Sequence, residues 1–245
     1  MQTNSIAIIP ARGGSKGLKK KNLQLFFGHP LIAWPIAAAL NAKSLSKVIV
    51  STDDIEIKKI AEEYGAEVPF LRPSNVSEDL TTTEETLAYS LNESEKYYGM
   101  TFDYCVFLTC TDLFRKSGWI DMALQKLLDN PTLESVFVGN VTHKNYWQYE
   151  DGKPVRLKPW MSKYESRQVR RKIFREDTGL SCASRSELWR DGKRIGDNVE
   201  LIEDDRSYSS LDIHNEFDLY LANKAAEWLD TNDKSGLPII PVKQK

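Results

Sequence analysis

Ser5-Ile6-Ala7-Ile8-Ile9-Pro10-Ala11-Arg12-Gly13-Gly14-Ser15-Lys16-Gly17-Leu18-Lys19-Lys20-Lys21-Asn22 runs a short apolar strand straight into a loop of glycine and lysine. Ser5 to Ala11 reads as a buried strand, because its apolar run is unbroken and too short for a helix. A loop at the carboxyl end of a first strand lies where α/β sheets bind ligands. Its three glycines, Gly13, Gly14 and Gly17, let the backbone approach a ligand and turn N–H groups inward. Arg12, Lys16 and Lys21 add cations, so the loop can wrap a polyphosphate. It carries neither the GxxxxGK[ST] nor the GxGxxG fingerprint. On residues alone an exposed basic turn is the competing reading.

Outward from this loop, strand and helix alternate. Leu31 to Ala42 is amphipathic, with Pro35 tolerable only near its first turns. Lys47 to Ser51 reads as a strand, Asp54 to Tyr64 as a helix and Glu67 to Leu71 as a third strand. Thr83 to Tyr98 reads as a helix whose first turn holds Glu84 and Glu85. Tyr104 to Leu108 is a strongly apolar strand, followed by a helix over Ser117 to Asn130 and a strand over Ser135 to Asn140. This alternation predicts an α/β fold, a mostly parallel sheet with helices on both faces.

The rhythm fails from Val141 to about Asp177, a stretch rich in charge and aromatics without a clear period. Such an excursion reads as a lid, a binding loop or a dimerisation arm. Leu180 to Ser184 restores a strand. A short helix near Arg185, strands near Val199 and Ser209 and a last helix over Glu216 to Leu229 follow. The expectation is one domain over residues 1–245 with an inserted arm at about 141–178.

Bulk properties narrow the function classes. Hydrophobic residues make up 41% of the chain, enough for a full core, and the net charge of −2 argues against a general nucleic-acid binder. Cys105, Cys110 and Cys182 have no metal-ligand spacing; Cys105, in an apolar run, reads as a core residue. Nothing approaches the ~20 apolar residues of a membrane span, and no signal-type run precedes Ile6. A cytoplasmic protein with no membrane and no nucleic-acid partner is expected.

Ile9 to Leu23 resembles the opening motif of the acylneuraminate cytidylyltransferases, written I-P-A-R-x-G-S-K-G-L-x-x-K-N-L. The likeness extends with falling strength over roughly residues 5–229. It implies a Rossmann-like nucleotidyltransferase fold, CTP as donor, an acidic 2-keto sugar as acceptor, Mg²⁺ as cofactor and pyrophosphate as leaving group. In that family the sugar's anomeric hydroxyl attacks the α-phosphorus of CTP. Catalysis is then mostly positioning plus cations aimed at the phosphoryl oxygens. Carried onto this chain, Arg12, Gly13, Gly14, Ser15, Lys16, Lys21 and Asn22 hold the nucleotide. Arg12, Lys21 and Asp212 are the catalytic candidates.

Further elements follow with falling specificity. Ser51-Thr52-Asp53 resembles the family's S-T-D, although an Asp here also suits a helix cap. Arg72-Pro73 with Asp79 to Thr83 resembles its R-P…D-T-x-S element, which implies base contacts from Arg72 and Thr83; helix capping is the alternative for the hydroxyls. Leu108 to Arg115 occupies the place of L-Q-P-T-S-P-L-R, agreeing at Thr111 and Arg115. It departs at Thr109, Cys110, Asp112 and Leu113, where sugar and ribose are contacted. Arg167-Gln168 and Phe174-Arg175 with Gly179 resemble R-Q…F-R-x-N-G, which implies that Arg167, Gln168 and Arg175 bind the acceptor, the arginines holding substrate groups that include a carboxylate; a solvated basic face is the competing reading of this run. Asp212-Ile213-His214 resembles D-I-D, whose two aspartates hold Mg²⁺. Asp212 matches and His214 replaces the second aspartate, so either a water intervenes, or Asp112 supplies the missing oxygen, or the metal site differs; Asp112 reads equally as a helix-proximal cap. Asp218 reads as a helix-start residue.

Three readings therefore stand. The first is a cytidylyltransferase for a sialic-acid-like sugar. The second is a nucleotidyltransferase of the same fold with a sugar phosphate or phosphonate acceptor. The third is an inactive nucleotide-binding homologue. The aromatic arm predicts a homodimer.

Overall fold

The computed structural model describes residues 3–15, 17–78 and 80–244. The first strand, β1 (Ser5–Pro10), is buried over its first five residues, which is why it tolerates no polar alternation. Lys21–Leu23 forms a 3-10 turn, and β2 (Leu25–Phe26) and β3 (His29–Pro30) make a small antiparallel hairpin. α1 (Ala33–Asn41) follows, with Pro35 in its first turn. β4 (Lys47–Ser51) leads into α2 (Ile55–Glu63), whose N-cap is Asp54: its side chain accepts from Glu56 N at 2.7 Å and Ile57 N at 3.1 Å. α3 (Thr83–Tyr98) starts with a capping box between Thr82 and Glu85. β5 (Tyr104–Phe107), α4 (Trp119–Asp129) and β6 (Ser135–Thr142) continue the alternation.

The irregular stretch contains structure that periodicity did not reveal. β7 (Trp147–Glu150) and β8 (Lys153–Arg156) form an antiparallel hairpin, and β9 (Ile173–Glu176) returns to pair with β6. All four residues of β7 are exposed, so no inward face imprints a period of two. β10 (Cys182–Arg185), α5 (Ser186–Arg190), β11 (Val199–Asp204) and α6 (Glu216–Asn232) complete the chain.

The central sheet has the order β11-β6-β10-β5-β1-β4, with β9 added beside β6. β1 is parallel to both neighbours and β11 is parallel to β6, whereas β10 runs antiparallel between β5 and β6. Alternating side chains feed two cores. Ala7, Ile9, Val48, Val50 and Val106 face α1, α2, α4 and α6, while Ile6, Ile8, Ile49 and Cys105 face α3 and α5. Helices thus cover both faces, as the sequence rhythm predicts.

Two expected strands differ. Glu67 to Leu71 is reduced to isolated bridges, Ile49 to Glu67 and Thr52 to Leu71. The segment near Ser209 is a turn, after which Asp212 forms a single antiparallel bridge to Asp112. In both places one or two backbone pairs suffice to tie an edge down, so no ladder develops.

Candidate active site

The chain leaves β1 toward β4 on one side, and leaves β5 toward β6 on the other. The carboxyl ends of β1 and β5 are therefore a topological switch point, where the diverging loops open a crevice. A cavity of about 410 Å³ lies there, lined by Pro10, Arg12, Ser15, Gly17, Lys21, Asn22, Thr83, Phe107, Thr109, Cys110, Thr111 and His214. Residues far apart in sequence meet because two strand ends, the α3 start and the segment before α6 converge.

The loop after β1 is braced from several directions. Asn22, buried behind it, donates from Nδ2 to Arg12 O at 2.9 Å. Asp53 accepts from Gly13 N at 2.9 Å, so the Ser-Thr-Asp segment splits its duties: Asp53 fixes the loop and Asp54 caps α2. A Cβ on Gly13 would sit 2.6 Å from Asp54 Oδ2, and one on Gly17 would collide with His214 O. Gly14 faces open space. Lys21 Nζ donates to Ile213 O at 3.2 Å, which brings its ammonium beside the Asp212–His214 segment. Arg12 donates to Glu78 O at 3.4 Å. Lys16 and Asp79 lie outside the described residues.

A second recess of about 270 Å³ adjoins the first and shares Pro10, Arg12 and Thr83 with it. Arg72, Thr81, Thr82 and Thr86 help to line it. The Arg72 guanidinium is buried, and burial holds its pKa below the usual arginine value. Its Nε has no protein partner, which leaves a buried donor available in this recess.

Behind the main cavity lies a polar cluster. Asp112 accepts from Thr109 Oγ1 at 2.5 Å. Burial, reinforced by the neighbouring Asp212 carboxylate, pushes the Asp112 carboxyl up to about 6. Arg115 is fully enclosed and donates through Nη2 to Thr109 O at 2.7 Å and to Gly179 O at 2.6 Å. Burial lowers its guanidinium to about 10. Gly179 is required by space: an added Cβ would run into Asp112 Oδ2 and stand 2.6 Å from Thr109 Oγ1. Cys110, also buried, has its thiol pushed up to about 12 by desolvation, so it stays a neutral wall.

Asp212 and His214 form the open side. His214 Nε2 is 3.3 Å from Asp212 Oδ2, and its Nδ1 is 3.2 Å from Asp212 O. Asp218 accepts from His214 N at 2.9 Å and joins Asn215 in the capping box of α6, the helix-start role its position predicts.

Arg12, Ser15, Lys21, Asn22, Thr83 and Thr111 thus meet in one cavity, with Arg72 next door. The three arm-side candidates do not join them within the chain. Arg167 lines a separate cavity of about 330 Å³ with His143, Lys144, Glu165 and Arg170. Gln168 is exposed. Arg175 is folded onto Asp177 at 2.7 Å and onto Ser210 O at 3.0 Å. Sequence reasoning missed the roles of Asp53, Arg115 and Gly179, since a buried arginine and a space-limited glycine leave no local pattern.

The sequence profile described as cytidylyltransferase matches residues 6–213. The chain belongs to the cytidylyltransferase family. It is 30% identical over 216 residues to post-translational flagellin modification protein B of Campylobacter coli, covering 87% of this chain and 91% of that protein. It is 42% identical over 123 residues to the CMP-N,N'-diacetyllegionaminic acid synthase of Legionella pneumophila, covering 49% of this chain and 51% of that one. Among solved structures, CMP:2-keto-3-deoxy-manno-octonic acid synthetase complexed with CTP superposes with a TM-score of 0.68 at 14% identity, covering 91% of this chain and 98% of that one. At that identity the likeness concerns the fold, and it places this cytidylyltransferase family member on a shared α/β framework.

Proposed function

We propose that the protein transfers CMP from CTP to the hydroxyl of an acidic 2-keto sugar of the nonulosonate class, releasing pyrophosphate. The observation that carries this reading is the 410 Å³ cavity, where Arg12, Ser15 and Lys21 face Thr109 and Thr111. Relatives named pseudaminic acid cytidylyltransferase and N-acylneuraminate cytidylyltransferase support the acceptor class.

The chemistry follows from charge. Attack of a sugar hydroxyl on the α-phosphorus spreads negative charge over the phosphoryl oxygens and onto the departing pyrophosphate. Arg12 and Lys21 supply fixed cations on the loop side, and Ser15 adds a hydroxyl donor. Lys21 is preorganised by its bond to Ile213 O, so little reorganisation is needed as charge develops. Arg72 Nε and the threonine hydroxyls of the adjoining recess suit the carbonyl and ring nitrogen of a cytosine. Thr109 and Thr111 stand where ribose or acceptor hydroxyls need partners.

The donor set also fits Mg²⁺. Asp112 and Asp212 are cross-strand neighbours, and the Asp212 carboxylate disfavours ionisation of Asp112 unless a cation stands nearby. Among the described residues no group of three or more acidic, His or Cys side chains stands ready to hold a metal. A Mg²⁺ ion would then rest on Asp212, supported by Asp112, with phosphate oxygens and water completing its shell. When bound it would neutralise charge on the triphosphate.

The arm supports a homodimer. Trp147, Tyr149 and Tyr164 are 53%, 77% and 73% exposed, an aromatic surface a second copy would cover. Among the described residues no helix is long and apolar enough to cross a membrane.

The test is pyrophosphate release with CTP, Mg²⁺ and a panel of acceptors. Release with a nonulosonate is expected. Release only with a sugar phosphate or phosphonate, or nucleotide binding without turnover, contradicts the proposal.

A further inference from the structure

The stretch that carries Ile213 to the main cavity has to cross the end of β6 to get there. It leaves β11 at Asp204, turns through Ser207 to Ser210 and reaches Asp212, which bridges Asp112 beyond the end of β5. Its far end is fixed on the β5 side. Ile213 N donates to Thr111 O at 3.3 Å, and Ile213 O accepts from Lys21 Nζ at 3.2 Å. The position of that carbonyl therefore sets where the Lys21 ammonium stands.

A pair of cross-strand neighbours holds the middle of the crossing. Asn140 of β6 and Arg175 of β9 stand opposite each other in the antiparallel register, so their side chains share one face. Asn140 Nδ2 donates to Ser209 Oγ at 3.1 Å, and Arg175 Nη2 donates to Ser210 O at 3.0 Å. Asp177 sets the arginine fork: its Oδ1 accepts from Arg175 Nε at 2.7 Å, and its side chain is only 5% exposed. Bonds from a guanidinium are stronger than neutral ones, and a planar fork held at one edge fixes the direction of the other.

The family resemblance implies an acceptor contact for Arg175, but its surroundings point elsewhere. One guanidinium nitrogen is engaged by Asp177 and another by Ser210 O, and Arg175 lines neither the main cavity nor the arm cavity. We infer that Arg175 is a positioning residue for CMP transfer: by holding Ser210 O it fixes the Leu211–Ile213 stretch, and through Ile213 O the ammonium of Lys21. This rests on the proposed role of Lys21. A donor displaced by a fraction of its reach loses turnover, even when the change lies outside the reacting groups. Arg175 thus acts on kcat rather than on affinity for the acidic sugar.

The test compares wild type with Arg175→Ala, Arg175→Lys and the double variant Arg175→Ala/Asp177→Asn. The single alanine leaves a buried carboxylate without its cation and can fail to fold, whereas the double variant removes that charge. Circular dichroism checks each protein. In the free protein, hydrogen exchange at the backbone amides of residues 209–213 is expected to quicken about tenfold in the double variant, with β1 and β5 unchanged. With CTP and a nonulosonate, kcat is expected to fall about tenfold, the scale for losing one charged hydrogen bond. KM for the acidic sugar should stay where it is. Arg175→Lys, whose single ammonium cannot span both partners, should recover part of kcat. Wild-type exchange at 209–213, or a raised KM for the acidic sugar with kcat unchanged, overturns the assignment, and the second result returns Arg175 to the acceptor. Wild-type protein that releases no pyrophosphate refutes the functional reading and with it any role in turnover, while exchange in the free protein still judges the tie itself.

Discussion

The loop after β1 is more densely basic than the arm between β6 and β9, and the two are held in opposite ways. The loop is pinned from outside by Asp53 on Gly13 and Ile213 on Lys21, with Asn22 on Arg12 bracing it from within. The arm holds itself with contacts among its own residues. Arg156 lies 4.3 Å over Trp147 and donates to Tyr164 at 2.9 Å, while Arg170 donates to His143 O at 3.0 Å. A site that stabilises a fleeting charge distribution needs fixed donors, so the loop suits catalysis. A region whose aromatics point outward suits recognition, by a partner or by a substrate arriving with one.

The contrast can be broken most severely at Lys21. Lys21→Ala is expected to lower turnover about 10²–10³-fold, the scale for losing one fixed donor to transition-state charge, with an unchanged circular dichroism spectrum. Turnover within threefold of wild type would remove Lys21 from the machinery. Behind the cavity, Asp112 makes a prediction in pH. Its folded-state pKa of about 6 exceeds the ordinary carboxylate value, so the native state keeps the proton longer than the unfolded chain. Its contribution is therefore present at low pH and lost as pH rises from about 4 to about 6. Metal-free wild type should lose on the order of 2–3 kcal/mol relative to Asp112→Asn across that window. Parallel denaturation curves for the two proteins at every pH would contradict this.

Gly179→Ala sharpens the same comparison in space. The added methyl must displace Asp112 or Thr109, at a cost of about 1–3 kcal/mol. Calorimetry should show Tm falling about 2–4 °C for each kcal/mol. Gly14→Ala, with nothing near its Cβ, should leave Tm unmoved. The smallest effect belongs to the arm: Arg167 lines a cavity apart from the nucleotide crevice, so Arg167→Ala is expected to leave KM for CTP unchanged. A raised KM for CTP in steady-state kinetics would contradict that separation.

Legibility in the sequence followed these same physical lines. The loop was readable because its residues are contiguous, and the fold because strands buried on both faces appear as unbroken apolar runs such as Ile6 to Ile9. Asp218 was readable as a cap because capping acts within three residues. The β7–β8 hairpin was not, since exposed strands carry no alternation. Nor was the Arg115–Gly179–Asp112 cluster, whose members meet only after β10 inserts antiparallel beside β5 and carries Gly179 against the β5 end. The destination of Arg167 was equally hidden, because a basic run does not encode which cavity it lines.

The most direct test of the loop's assigned role is a crystal structure with CTP bound. The triphosphate should lie against Ser15 and Lys21, with the cytosine in the recess beside Arg72 and Thr83. Nucleotide bound elsewhere, with the 12–22 loop facing bulk water, would contradict the account.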